Sequence, residues 1–311
     1  MTWIDIIAIV ILLLILGLSY YFARMIIFPK VHPYEEVYQI KVDEGTLNPI
    51  DWESWEKEEI WIESPQQYQL HGYWLPVANA IGTVVIVHGI TVNLYASVKY
   101  IQPFRKRRFN ILVYDHRNHG KSGGNFTTFG FLEKEDLKVV VDWVEKKAGP
   151  GTIIGTHGES LGAATCLQHA AIDARLSFVI SDCGFSDLAD LLYYRLRKEY
   201  RLMGWILIPA ASMFVRIMAG FWLQAISPVK AIHEVETPVF IIHGAEDDYI
   251  PPSHAERIFA LKKKGVKKLW LAQHADHAES QPVNPTLYDQ KIGEFLSEVV
   301  GSELIKENIN D

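Results

Sequence analysis

The sequence predicts an α/β protein: a mainly parallel sheet with crossover helices, a helical lid inserted late in the chain, and a membrane-spanning helix at the N-terminus. Three observations lead there. Short all-apolar runs alternate with helical segments from about residue 83 onward, as buried parallel strands and their crossovers do. The stretch 186–236 interrupts that alternation and holds no strand pattern. The chain also begins with a long uncharged apolar run. The background is ordinary globular composition, 49% hydrophobic and 22% charged over 311 residues, which excludes a disordered chain. A net charge of −7, from 30 basic and 37 acidic residues, argues against a basic nucleic-acid-binding face. Two cysteines make neither a disulfide framework nor a multi-thiolate metal site.

Residues 1–30 read as the anchor. Ile6 to Ala23 carry no charge, and twelve of these eighteen residues are Ile, Leu, Val or Phe. At 0.3–0.6 kcal/mol each, those twelve favour insertion by about 4–7 kcal/mol. Eighteen helical residues span about 27 Å, close to the hydrocarbon core of a bilayer. A cleaved signal peptide fits poorly. Only Asp5 precedes the run, and Tyr20, Tyr21 and Phe22 close it where a small-x-small site would stand. Arg24 and Lys30 lie on the C-terminal flank, which puts the remainder of a single-pass protein in the cytoplasm.

Residues 31–57, rich in proline and acid with few periodic apolars, read as a tether to a main domain at 58–300, with 301–311 as a tail. Within the domain, Ile60 and Ile62, then Leu70, Tyr73 and Trp74, mark two strands broken at Ser64-Pro65. The buried-strand runs follow at 83–87, 111–114, 152–155, 178–181, 239–242 and 268–271. Helical patterns lie near 97–108, 132–148, 160–172, 253–264 and 285–300. In the interruption, residues 203–226 carry only Arg216 among many large apolars. A second span is rejected there: it would part the flanking strands across a membrane, and they could not share a sheet. The segment reads as a helical lid whose apolar surplus lines a pocket or touches the bilayer.

The strongest local signal is Gly158-Glu159-Ser160-Leu161-Gly162, between a strand and a helix, the setting of a nucleophile elbow. A serine hydroxyl needs a base. His277 stands in the loop after the last strand, with His274 a rival three residues earlier. Asp247 follows the preceding strand and supplies the orienting carboxylate, in the order Ser, Asp, His. Backbone amides for a tetrahedral oxyanion come from Leu161, directly after the serine, and from Ile90, in the turn after strand 83–87.

With His88-Gly89, Asp115-His116-Arg117-Asn118-His119-Gly120-Lys121-Ser122, the Ser160 elbow, His243-Gly244-x-x-Asp247-x-x-Ile250-Pro251 and the His277 loop all in order, residues 58–300 resemble the α/β-hydrolase family. More narrowly, the chain is similar to membrane-anchored bacterial members grouped with serine aminopeptidase-like and lysophospholipase-like hydrolases. The resemblance implies the α/β-hydrolase fold and esterase, thioesterase, lipase or peptidase chemistry without metal or organic cofactor. It makes Ser160 the nucleophile, His277 the base and Asp247 the acid. It favours Asp247 over Asp248 by the spacing from His243, and His277 over His274 by the Ala-Glu-Ser that follows. Two departures stand out: Glu159 where many lipases carry His, and the closeness of the rivals His274 and Asp248. Asp182 is a further rival, since some hydrolases take the acid from the strand it ends. An aspartate-nucleophile dehalogenase is disfavoured by the serine itself.

The functional expectation is therefore a membrane-anchored serine hydrolase of small-molecule or lipid-like esters with apolar acyl or aromatic groups. A thioesterase acting on lipidated substrates and a serine peptidase are the enzymatic alternatives. A catalytically idle membrane scaffold is the non-enzymatic one. Other conspicuous residues have structural readings: His88 and His243 bonding loop backbone, Asp115-His116-Arg117 bracing a turn, Cys166 and Cys183 as small buried hydrophobes, and Lys262-Lys263-Lys264 with Lys267-Lys268 as a solvated helix end.

Overall fold

The computed structural model describes residues 1–201 and 204–305. Its elements run α1 (Trp3–Ile27), α2 (Tyr34–Asp43), α3 (Pro49–Ser54), β1 (Glu58–Glu63), β2 (Gln69–Leu75), β3 (Gly82–Val87), a 3-10 turn Leu94–Tyr100 leading into α4 (Ile101–Arg105), and β4 (Phe109–Tyr114). Next come α5 (Glu133–Ala148), β5 (Ile153–Glu159), α6 (Leu161–Ala170), β6 (Leu176–Asp182), α7 (Leu188–Tyr200), α8 (Gly204–Ala219) and α9 (Pro228–Ile232). The chain closes with β7 (Val239–Gly244), α10 (Ser253–Leu261), β8 (Lys267–Ala272), α11 (Ser280–Val283) and α12 (Pro285–Leu296).

The eight strands form one sheet in the order β1-β2-β4-β3-β5-β6-β7-β8. β2 pairs antiparallel with both neighbours, and every pair from β4 to β8 is parallel. This is the α/β-hydrolase fold. The absence of polar alternation in the strands has a direct cause, since both faces are covered. Val84 and Ile86 of β3 face a core with Phe104, Phe178 and Phe295, whereas Val85 and Val87 face Leu137, Val141 and Leu167 on the other side. The expected strands and crossover helices are all present, with ends shifted by three residues or fewer except at the 152–155 strand and the 97–108 and 285–300 helices, where the shift is larger.

The lid is helical, built from α7, α8 and α9, with no strand among its described residues. The strands before and after it, β6 and β7, are parallel neighbours, with Val179 opposite Val239 and Asp182 opposite Ile242. The lid therefore leaves the sheet at the C-terminal end of β6 and returns at the N-terminal end of the adjacent β7. At the N-terminus α1 is a single helix long and apolar enough to cross a membrane. Thr2 and Asp5 form a reciprocal capping box at its start. Its last turns do not stand apart from the domain. Phe22, Ala23, Ile26 and Ile27 are buried in a third cluster with Leu188, Ile208, Val215 and Phe221 of the lid region.

Two readings need correction. Residues 31–57 are not a loose tether. They form α2 and α3, whose Val37 and Trp52, with Leu47 between them, are buried in the core on one face of the sheet. The segment hides this because its anchors are spaced singly rather than as a helical stripe. Asn48 caps α3 through its side chain and Pro49 opens it, a strong local start signal in an acidic stretch. The lysine-rich end of α10 is also not wholly solvated: Lys262 is buried and donates to the carbonyls of Val235 and Lys264. Of the expected tail 301–311, residues 306–311 lie outside the described residues, while Ile305 packs into the core.

Candidate active site

The sheet's C-terminal edge carries the site. β5 ends in the turn before α6, and Ser160 sits there with φ +55° and ψ −111°, a conformation L-residues rarely adopt. The flanking glycines are needed for that turn. A Cβ on Gly158 would lie 2.3 Å from the Gly162 backbone, and one on Gly162 would lie 2.1 Å from the Val87 carbonyl oxygen. The sharp turn lifts the Ser160 side chain off the sheet, and its amide is held by the Asp182 carbonyl at 2.8 Å.

The β8–α11 loop brings His277 to the serine. Its Nε2 lies 3.1 Å from Ser160 Oγ, and its Nδ1 lies 2.8 Å from Asp247 Oδ2. With the Nδ1 proton donated to the carboxylate, Nε2 is left to accept from the serine hydroxyl. Asp247 is fixed in turn by the amides of Tyr249 and Ile250, which donate to Oδ1 at 2.9 and 2.8 Å. Burial opposes its charge, but hydrogen bonds from His243 and His277 hold the carboxyl well below the usual carboxylate range. The Tyr249 ring lies against the His277 imidazole, 4.9 Å between centroids, and the Arg195 guanidinium sits over the Tyr249 ring, 3.7 Å from its centre.

The rivals sit elsewhere. His274 points outward, 85% exposed, beside Glu246. Asp248 pairs with Lys198 on the lid. Asp182 lies buried behind the elbow, accepting from Tyr288 and Tyr100, and burial with the nearby Glu159 charge raises its carboxyl to about 6. Ile90 and Leu161 line the same cavity as Ser160. The loop before them is braced as its motif suggests. His88 Nδ1 donates to the Gly89 carbonyl and Nε2 accepts from the His116 amide, while His119 Nε2 accepts from the amide of Thr91. Asp115 accepts from the amides of Leu94 and Lys121 and from His71. His243 donates to the Ile250 carbonyl, so it too is tied to loop backbone. Cys166 and Cys183 are buried, free thiols.

The cavity in front of Ser160 measures about 250 Å³ and is mostly apolar, walled by Phe185, Leu188 and Leu191 of the lid side and by Phe22 and Ile26 of α1. Among the described residues, no group of three or more His, Cys, Asp or Glu is placed to hold a metal ion. Chemically, a hydroxyl joined to an imidazole and a carboxylate at the mouth of an apolar cavity is equipped for acyl transfer.

A profile described as X-Pro dipeptidyl-peptidase (S15 family) matches residues 35–208, more than half the chain. The chain belongs to the S15 family. This S15-family hydrolase is also 38% identical to the Bacillus subtilis protein YqkD over 284 residues, covering 91% of this chain and 93% of YqkD. It is 25% identical to human alpha/beta hydrolase domain-containing protein 17B over 228 residues, 73% of this chain and 69% of that protein. Among solved structures, the Pyrococcus furiosus esterase Pf2001 superposes with a TM-score of 0.68 at 24% identity, over 82% of this chain and 95% of that one. Est1E from Butyrivibrio proteoclasticus, with ferulic acid bound, gives 0.63 at 21% identity, over 78% and 99%.

Two contributors in this S15-family chain escaped the sequence reading. Lys99, from the 3-10 turn, has a side chain 7% exposed; its Nζ lies 2.6 Å from Glu159 Oε2 and donates to the Ala278 carbonyl at 2.9 Å. It thereby joins the residue before the serine to the residue after His277. Burial would keep Glu159 neutral, but the Lys99 ammonium and the Tyr100 hydroxyl hold it charged, below its ordinary range. No motif marks Lys99, because its partners lie 60 and 179 positions away in the chain. The second is α1, whose wall of the cavity is invisible to a reading that treats it as an anchor alone.

Proposed function

We propose that this hydrolase is a membrane-anchored serine esterase that cleaves carboxylic esters of apolar acyl groups through an acyl-enzyme, with its catalytic domain on the cytoplasmic side. The observation that carries the reading is the hydrogen-bonded run Asp247–His277–Ser160 at the mouth of an apolar cavity. In this reading Ser160 Oγ attacks the ester carbonyl as its proton passes to His277 Nε2. Asp247 holds the imidazole and stabilises its positive charge. The amides of Ile90 and Leu161 bind the oxyanion. His277 then gives the proton to the departing alkoxide, and a water activated the same way releases the acid. The cavity supports an apolar acyl group; Glu199 and Arg195, the charged residues lining it, are paired with each other. The flanking Arg24 and Lys30 support the orientation.

A serine peptidase is the second reading, favoured by the S15 profile. The same three residues serve it, with an amine as leaving group. The expected result is that a fluorophosphonate probe labels wild type and not Ser160→Ala, and that ester turnover in the variant falls by about three orders of magnitude or more. Equal labelling of both proteins sinks the serine mechanism. Turnover of an Xaa-Pro nitroanilide with none of p-nitrophenyl esters replaces the esterase by the peptidase.

A further inference from the structure

The last turns of α1 are built into the site. From Ser19 onward one face of the helix is buried, with Ala23 and Ile27 fully enclosed against the lid. The tip is pinned by backbone bonds on both sides. The Thr127 amide donates to the Ile27 carbonyl at 2.9 Å, and the His32 amide, just past the helix, donates to the Thr91 carbonyl at 2.9 Å, one residue from Ile90. Rings reinforce the seam: Tyr20 meets Phe214 of α8 at 5.5 Å and Phe22 meets Tyr200 of α7 at 5.3 Å, both edge-on. Phe22, Met25 and Ile26 consequently line the cavity that opens at Ser160, together with Leu191, Leu192 and Ile208.

These three side chains are apolar, as are the lid leucines that line the same cavity. A short acyl group held at Ser160 leaves this space empty. A longer one fills it and buries its methylenes at about 0.8 kcal/mol each, which favours long chains several-fold per added carbon until the wall is met. We propose that the membrane helix is the acyl-length gauge of this enzyme: Met25 and Ile26 of α1 set how long an acyl chain the site accepts, and the substrate class is an ester of a long-chain fatty acid. This rests on the esterase reading.

Removal of residues 1–30 then does more than release an anchor. The cut takes away a side of the active-site cavity along with the anchor, so the truncated body is expected to lose chain-length selectivity.

The test uses the full-length protein in detergent and compares kcat/KM for p-nitrophenyl palmitate, dodecanoate and butyrate. Ile26→Trp narrows the cavity and is expected to lower the dodecanoate-to-butyrate ratio tenfold or more. Met25→Ala widens it at a residue 44% exposed, where folding is not at stake, and is expected to raise the relative rate for chains longer than dodecanoate. Leu13→Ala, on the 61% exposed stretch far from the cavity, is expected to keep the wild-type ratio. Wild-type ratios in both Ile26→Trp and Met25→Ala overturn the gauge while leaving the esterase standing. So does an equal shift in Leu13→Ala, which assigns the effect to anchoring. Wild type that takes the fluorophosphonate label yet hydrolyses neither ester overturns the esterase reading, and the gauge with it.

Discussion

At the scale of single residues the site is held by a buried charge pair as well as by the hydrogen-bonded run Asp247–His277–Ser160. Lys99 and Glu159 are each nearly enclosed, and each is the other's counter-charge. Removing one partner of such a pair leaves an uncompensated buried charge, which costs about 3–5 kcal/mol. Lys99→Met is therefore expected to lower the urea midpoint markedly, and Lys99→Met with Glu159→Gln to recover most of the loss, because the stranded carboxylate is then gone. A double variant no more stable than the single one refutes the pair as the source. The same residues show how far the site could be read from sequence. Ser160, Asp247 and His277 were legible because each falls in the turn or loop that follows a strand, where the topology fixes what the side chain meets. Glu159 was visible only as an oddity beside the serine, since its explanation lies in Lys99, on a turn that no periodicity announces.

At the scale of elements, the strands were legible and the N-terminal additions were not. A central strand such as β3, Gly82–Val87, is buried on both faces and must be apolar at every position, which leaves an unmistakable run. α2 and α3 bury one side chain at a time on an already formed sheet, so nothing repeats. Trp52, 2% exposed, edges against Tyr73 and Tyr95. Trp52→Ala is expected to destabilise the protein by about 3–5 kcal/mol, read as a lower urea midpoint. A true tether would show no change. The lid was legible as an insertion because its composition departs from the strand–helix alternation, and its return to the sheet follows from β6 and β7 being neighbours.

At the scale of the whole molecule, acidity is the condition to which the fold is most exposed. Burial pulls His116 and His157 down to about 3 and His169 and His254 to about 4. The unfolded chain binds those protons near 6.5, so unfolding takes up protons as pH falls below that value, and stability falls with it. Asp136 and Asp182, raised to about 6 by burial, act in the opposite sense between about 4 and 6, because there the folded state binds the extra protons. Two carboxyls do not outweigh four imidazoles. The unfolding free energy is expected to drop by at least about 1.4 kcal/mol per pH unit from pH 6 to 4.5, one net proton's worth. Urea midpoints that stay level over that range contradict it. The seam between α1 and α8 carries a different consequence, for the order in which the chain is made. α1 leaves the ribosome before α8, which begins roughly 180 residues later. At about 5–20 residues per second that is an interval of about 9–36 s. Through it, the face of α1 that will hold Ile208 and Val215 has no lid to meet. Synthesis therefore sets a sequence of events in which the helix exists well before the lid that packs on it, and the cavity beside Ser160 is completed against an element already made.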